Sequence, residues 1–327
     1  MPPVPRHLPV FVAGATGAVG RALAVRLASD GWTVRCGSRD PERARASMPG
    51  FAWVQLDVDQ PETLAPALRG CGAAYYLVHG MADGAGYLER EVRAAKAFAA
   101  SAAEAGLERI VYLGGLVPDG VPSEHLWSRL ETGRLLREGS VPCIELRAGM
   151  VIGPGSVSWR IVRDIAVRLP VQVLPAWLES RSQPVGIDDV CAALAGALEL
   201  PTEGRSLALD VPGPETLTAR EILMRVGVLL EQPPIQIRVP LMSPGLSARW
   251  LRLVTRADPT VAAELVHGLA HDLVSTGPTV WERMPEHRQL GFDAVVERAL
   301  LGEAATVSER SRRVEAAIHR FARMVRV

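Results

Sequence analysis

Lysine is almost missing from this chain. Of 36 basic residues only Lys96 is a lysine, so a catalytic or Schiff-base lysine has one possible address, and the arginine and alanine excess reads as GC-rich coding. Cysteine is scarce too. Cys36, Cys71, Cys143 and Cys191 are far apart, with no C-x-x-C pair, which excludes a disulfide scaffold and a cysteine-type zinc site. Cys36 and Cys143 fall in expected buried strands, so reduced core thiols and a cytoplasmic location are expected. Net charge is absent: the formal value is zero, which gives no reason to expect nucleic acid as a partner. No apolar run reaches membrane-spanning length, and Met1–Pro9 lacks the apolar centre of a signal peptide, so no stable membrane insertion is expected. Apolar residues at 48% predict a folded globular chain.

What is present begins at Leu8–Leu27, L-P-V-F-V-A-G-A-T-G-A-V-G-R-A-L-A-V-R-L. Val10–Ala13 reads as a buried strand. Gly14, Gly17 and Gly20 follow at a spacing of three, and Val19, Leu23 and Leu27 then repeat at helical period. Strand, glycine turn and helix in that order is the setting in which such a triplet holds a dinucleotide. Gly14 makes the tight turn, Gly17 admits the diphosphate, and Gly20 lets helix and strand approach. The amides that open the helix face the phosphates, aided by the helix dipole.

Further strands are expected at Thr33–Ser38, Phe51–Leu56, Ala73–Val78, Arg109–Leu113, Cys143–Arg147 and Leu207–Val211, with helices between them. This alternation predicts an α/β, Rossmann-type doubly wound parallel sheet of about seven strands. Ligands then bind beyond the carboxyl ends of the strands. Asp40-Pro41 is a helix start, Asp59 is read as the cap of Pro61–Leu68, and Asp188 or Asp189 as the cap of a helix to about Leu198. Thr218 with Glu221 is a capping box. Leu174–Ser182 reads as irregular chain, and Glu145 and Arg147 as alternating across their strand. Residues 1–232 are expected to form the dinucleotide domain, with a substrate-side segment at about 153–182. Residues 233–327, broken by prolines, are expected to form a smaller, mainly helical lobe.

Where the second strand ends, an acid would bind the ribose of NAD and an arginine the 2′-phosphate of NADP. Arg39 occupies the tip and Asp40 is accounted for as a cap, which favours NADP(H) over NAD(H); Asp40 as a ribose ligand is the competitor.

With these residues assembled, the chain resembles the atypical short-chain dehydrogenase/reductase superfamily, in its NmrA-like, NAD(P)-binding branch. The matching stretches are G-A-T-G-A-V-G at Gly14–Gly20, Arg39, L-D-V at Leu56–Val58, Y-L-V-H-G-M at Tyr76–Met81, Y-L-G-G-L at Tyr112–Leu116, L-R-A-G-M-V-I-G-P-G-S at Leu146–Ser156, and Q-P-V-G-I-D-D-V at Gln183–Val190. The resemblance implies an oxidoreductase acting on a small organic, carbonyl or enone-like substrate. It implies a cofactor site made of Gly14, Thr16, Gly17, Ala18, Val19, Gly20, Ser38, Arg39, Asp57, Val58, Leu77, Val78, His79, Leu113, Gly114, Ala148 and Gly149. Asp57 and Val58 should approach the adenine, and Leu77–His79 the ribose on the nicotinamide side.

One departure matters. Catalytic members use a Tyr-x-x-x-Lys pair, and none of Tyr75, Tyr76, Tyr87 and Tyr112 has lysine four residues on. At the expected place stand His125 and Arg129, with the spacing kept. His125 as proton donor and Arg129 as ribose or phosphate ligand is the catalytic reading; a polar helix start with a solvated neighbour is the alternative. A binding protein without turnover, and an isomerase or cyclase on the same fold, are the competing functions. Glu264, His267 and His271 have metal-like spacing but lack a clear further ligand, so no metal is expected. Trp177 and Arg181 are candidates to touch substrate. The arginine-rich stripe of Ser308–Val327 suggests packing on this protein or on a second copy, hence a possible homodimer.

Overall fold

The computed structural model describes residues 4–79, 86–169, 171–239 and 271–304. Its centre is a seven-stranded sheet. Six strands are β1 (Val10–Ala13), β2 (Val34–Ser38), β3 (Ala52–Gln55), β4 (Ala73–Tyr76), β5 (Arg109–Gly115) and β6 (Cys143–Ala148), and the seventh is Leu207–Val211. The spatial order is Leu207–Val211, β6, β5, β4, β1, β2, β3, and every pair is parallel. The expected fold class is therefore present. The chain reverses its direction of travel between β1 and β4, the place where such sheets open a crevice.

Helices cover both faces, which is why the central strands are apolar without alternation. On one side Leu23 and Leu27 of α1 (Ala18–Ser29) pack with Val190 and Leu194 of α7 (Ile187–Gly196). On the other, Phe98 and Ala102 of α4 (Tyr87–Glu104) pack with Leu136 of α5 (Glu124–Glu138). Each large side chain removed from water in these layers contributes roughly 1.5–3 kcal/mol. A third cluster joins α6 (Val157–Arg168), α8 (Ala219–Leu229) and the Phe292–Ala304 helix through Trp159, Ile222, Val226 and Val296.

Several local expectations hold. Asp40 caps α2 (Pro41–Ser47) by accepting from Arg43 N at 3.0 Å, and Thr218 and Glu221 form the capping box. Others are corrected. Asp59 does not cap: Gln60 holds the cap position of a short 3₁₀ turn that leads into α3 (Leu64–Leu68), and the Asp59 amide donates to Asp57 Oδ1. Gly186, not an aspartate, is the N-cap of α7, with Asp188 and Asp189 inside its first turn. Leu174–Ser182 is not irregular. Val171–Pro175 pairs in parallel with Ile235–Val239, a 3₁₀ turn follows, and Arg181–Ser182 pairs with Leu217–Thr218.

Glu145 and Arg147 share one face of β6, as residues two apart in a strand must. Glu145 is fully buried, and its Oε2 meets Arg137 Nε at 2.8 Å and Arg147 Nη2 at 3.1 Å. Removing a buried carboxylate strands its cations, so Glu145→Ala should destabilise the fold by about 3 kcal/mol, read from urea unfolding. Glu264, His267 and Ser308–Val327 lie outside the described residues, as does most of the expected helical lobe. Among the described residues no helix is long and apolar enough to cross a membrane, and no cluster of three metal-ligating side chains exists.

Candidate functional site

The glycine turn is built as its spacing predicts. Gly14 has φ +85°, and a Cβ on it would lie 2.5 Å from Leu77 O at the end of β4. A Cβ on Gly20 would lie 2.2 Å from Gly14 O. The turn is closed by Gly17 N donating to Gly14 O at 3.0 Å, and Gly17 caps α1 with no side chain over the helix end. The first helical bond is Arg21 N to Gly17 O at 2.9 Å, so the amides of Ala18, Val19 and Gly20 have no partner one turn earlier. Thr16 and Gly17 are exposed. Shape and donors fit a diphosphate: a concave backbone that any side chain would fill, ending in unclaimed N–H groups.

From this turn a cavity of about 300 Å³ runs along the carboxyl ends of β1 to β4. Gly14, Thr16, Gly17, Ser38, Arg39, Asp57, Val58, Leu77, Val78 and His79 line it, all expected from sequence. Arg39 is exposed at the mouth, while the Asp40 carboxylate is committed to Arg43 N. Asp57 accepts from Asp59 N at 3.1 Å and from Gln60 Nε2 at 3.2 Å, which fixes the β3 exit. Tyr87, Arg90 and Glu91 complete the wall from α4. Sequence reasoning missed them, although their spacing puts them on one helix face directly after β4.

Leu113, Gly114, Ala148 and Gly149 do not line this cavity. β5 and β6 run further than expected, so Leu113, Gly114 and Ala148 are buried strand residues and Gly149 follows at the sheet edge. Next to them stand His125 and Arg129. Ser123 caps α5, accepting from Leu126 N at 3.3 Å, which sets His125 in the first turn and Arg129 one turn on. Arg129 Nη2 donates to Leu113 O at 2.9 Å and Gly114 O at 3.2 Å. Burial, then the Arg129 guanidinium, lowers His125 to about 3. Burial, then Arg129 and His125, also holds His79 well below the usual imidazole range. Both rings are therefore neutral at pH 7. The Tyr112 phenol donates to Arg129 O at 3.0 Å and is pushed up by burial, as are Tyr75 and Tyr76, so none of these three is poised as an acid.

A neutral His125 carries a pH signature. Its folded value lies below its unfolded one, so only the unfolded chain gains the proton between about pH 6.5 and 3. Stability is thus lost as pH falls through that window. His125→Asn should remove about 1.5 kcal/mol of the loss between pH 6.5 and 5, seen by comparing urea midpoints of the two proteins.

Residues between 271 and 304 are fastened to the last strand of the sheet and to α7. Ser275 Oγ donates to Asp210 Oδ2 at 2.8 Å, His287 Nε2 meets Asp189 Oδ1 at 2.7 Å, and the His287 ring stacks on Trp281 at 5.0 Å. Arg181 is tied to Asp272 at 2.6 Å, and the Trp177 side chain lies outside the described residues.

Comparison with known proteins agrees with this geometry. Residues 14–163 match the model of an NAD(P)H-binding family. A (4-alkanoyl-5-oxo-2,5-dihydrofuran-3-yl)methyl phosphate reductase of Streptomyces griseus is 30% identical over 261 residues, 77% of this chain and 83% of that protein. Triphenylmethane reductase of Citrobacter sp., solved with NADP(H), superposes with a TM-score of 0.71 at 15% identity, covering 89% of this chain and 99% of that one. A nucleoside-diphosphate-sugar epimerase of Staphylococcus aureus gives 0.70 at 14% identity, covering 88% and 99%. The chain belongs to the NAD(P)H-binding family, within the atypical short-chain dehydrogenase/reductase superfamily.

Proposed function

We propose that this protein is an NADP(H)-dependent reductase of a small organic substrate whose C=C bond is conjugated to carbonyl groups. The observation that carries the reading is the three-glycine turn at Gly14–Gly20, closed too tightly for a Cβ at Gly14 or Gly20 and opening into the cavity at the β1/β4 crevice. We assign Gly14–Gly20 to the diphosphate, Arg39 to the 2′-phosphate, Asp57 and Val58 to the adenine, and Leu77–His79 to the nicotinamide-side ribose. Leu113, Gly114, Ala148 and Gly149 lie outside this cavity and are assigned to the nicotinamide side through their place at the ends of β5 and β6. When bound, the reduced nicotinamide supplies a hydride.

The substrate class follows from what the chain lacks. Reduction of a ketone leaves an alkoxide that must be protonated at once, the task of the absent tyrosine. Hydride addition to a conjugated C=C instead leaves a delocalised enolate, which can take its proton later from water. The name of the Streptomyces griseus relative describes such a compound, a ring C=C flanked by two carbonyls and carrying a phosphate ester. His125, neutral and buried, serves as a hydrogen-bond donor to substrate oxygen, and Arg129 supplies the positive charge beside it.

The test is NADPH consumption with a panel of butenolides, enones and simple ketones. Turnover of the conjugated compounds and not of the ketones is expected. Cofactor binding with no turnover of any of them would identify a binding protein instead. His125→Ala should lower kcat by about 10- to 100-fold with cofactor affinity intact, and unchanged turnover would remove the histidine from the chemistry.

A further inference from the structure

Where β4 and β5 end, His79, His125 and Arg129 sit within electrostatic reach of one another. Arg129 is fixed by its Nη2 alone, forked onto Leu113 O and Gly114 O. Its Nε is buried with no hydrogen-bond partner, and no acceptor for Nη1 exists among the described residues. Among the described residues no carboxylate pairs with Arg129. Glu91 of α4 accepts from Ser128, Glu145 of β6 is bound by Arg137 and Arg147, and Glu124 is exposed in the first turn of α5. Tyr112 is occupied with Arg129 O. The positive end of α5 adds to the same side. A half-buried guanidinium whose Nη1 is unclaimed, beside two neutral imidazoles and with no carboxylate partner among the described residues, is an arrangement short of one negative charge.

We infer that this corner holds an oxyanion of the substrate, with Arg129 as its cation and His125 as a neighbouring donor. The inference rests on the reductase reading only in assigning the anion to substrate. The charge has two chemical sources, a permanent phosphate group or the oxygen of a delocalised enolate, and both want the same donors.

The experiment uses the full chain saturated with NADP⁺, so that the diphosphate turn is filled. Inorganic phosphate and the enolate of 5,5-dimethylcyclohexane-1,3-dione are titrated separately, read by calorimetry and by the ring ¹⁵N shifts of His125 and His79. Saturable binding of at least one probe is expected, with His125 shifted. Arg129→Gln should weaken it by at least ~10-fold and Arg129→Lys restore it to within about threefold. Binding of phosphate alone assigns a permanent anionic substituent, and binding of the dione alone assigns the enolate. No saturable shift of His125 with either probe overturns the inference, whether or not the variants fold. So does Arg129→Gln binding as tightly as the parent. The preceding NADP⁺ titration separates the two readings. If it fails, the reductase reading falls and takes the inference with it; if it succeeds and the anions do not bind, only the inference falls.

Discussion

Gly20→Ala should severely weaken binding of either pyridine nucleotide. The added methyl would lie 2.2 Å from Gly14 O and 2.9 Å from Ala15 Cα, both backbone atoms, so no side chain can swing aside to admit it. Relief requires α1 to lift away from β1, which moves the amides of Ala18 and Val19 off any phosphate they meet. Overpacking of this kind costs about 1–3 kcal/mol of stability, and displacing the helix start should cost ~100-fold or more in affinity. Calorimetry with NADPH, alongside a urea melt to show that the sheet survives, checks both. Gly14→Ala should behave alike for an added reason, since φ +85° is strained for any residue bearing a Cβ. Normal affinity in a folded Gly20→Ala protein would mean that the cofactor sits elsewhere.

On the proposed assignment of Arg39 to the 2′-phosphate, Arg39→Ala should weaken NADPH far more than NADH. The guanidinium is exposed at the cavity mouth, where a 2′-phosphate would gain a charge-assisted contact. A loss of about 10- to 100-fold is expected for NADPH, with NADH changed by less than about threefold. Asp40→Ala is the complementary experiment. Its carboxylate already accepts from Arg43 N, so its loss should cost about 1 kcal/mol of stability through the cap and leave the preference unaltered. Equal weakening of both nucleotides by Arg39→Ala would remove the 2′-phosphate assignment.

What the sequence made legible was whatever depends on neighbours along the chain. Val10–Ala13, the glycine turn and the start of α1 form one local unit, and the order of apolar strands dictated a parallel sheet. The Asp40-Pro41 cap was readable for the same reason. Asp59 was misread because the turn begins at Pro61, which puts Gln60 at the cap position and leaves Asp59 one residue too early. Tyr87, Arg90 and Glu91 were missed because their relevance comes from α4 lying across the cavity, a tertiary fact. That His125 is neutral was equally hidden, since its burial depends on how α5 packs on β5. Glu145 and Arg147 could have been placed correctly, because strand geometry alone puts them on one face.

The contact between Gly14 and Leu77 joins segments that are more than sixty residues apart, and it exists only after β4 has slotted in beside β1. An amino-terminal fragment holding β1, α1, β2 and β3 would possess the whole glycine signature yet lack the wall that shapes it. During synthesis, then, a nucleotide held as proposed would find no finished turn until β4 has left the ribosome. The cofactor can reward an assembled sheet but cannot template its first half.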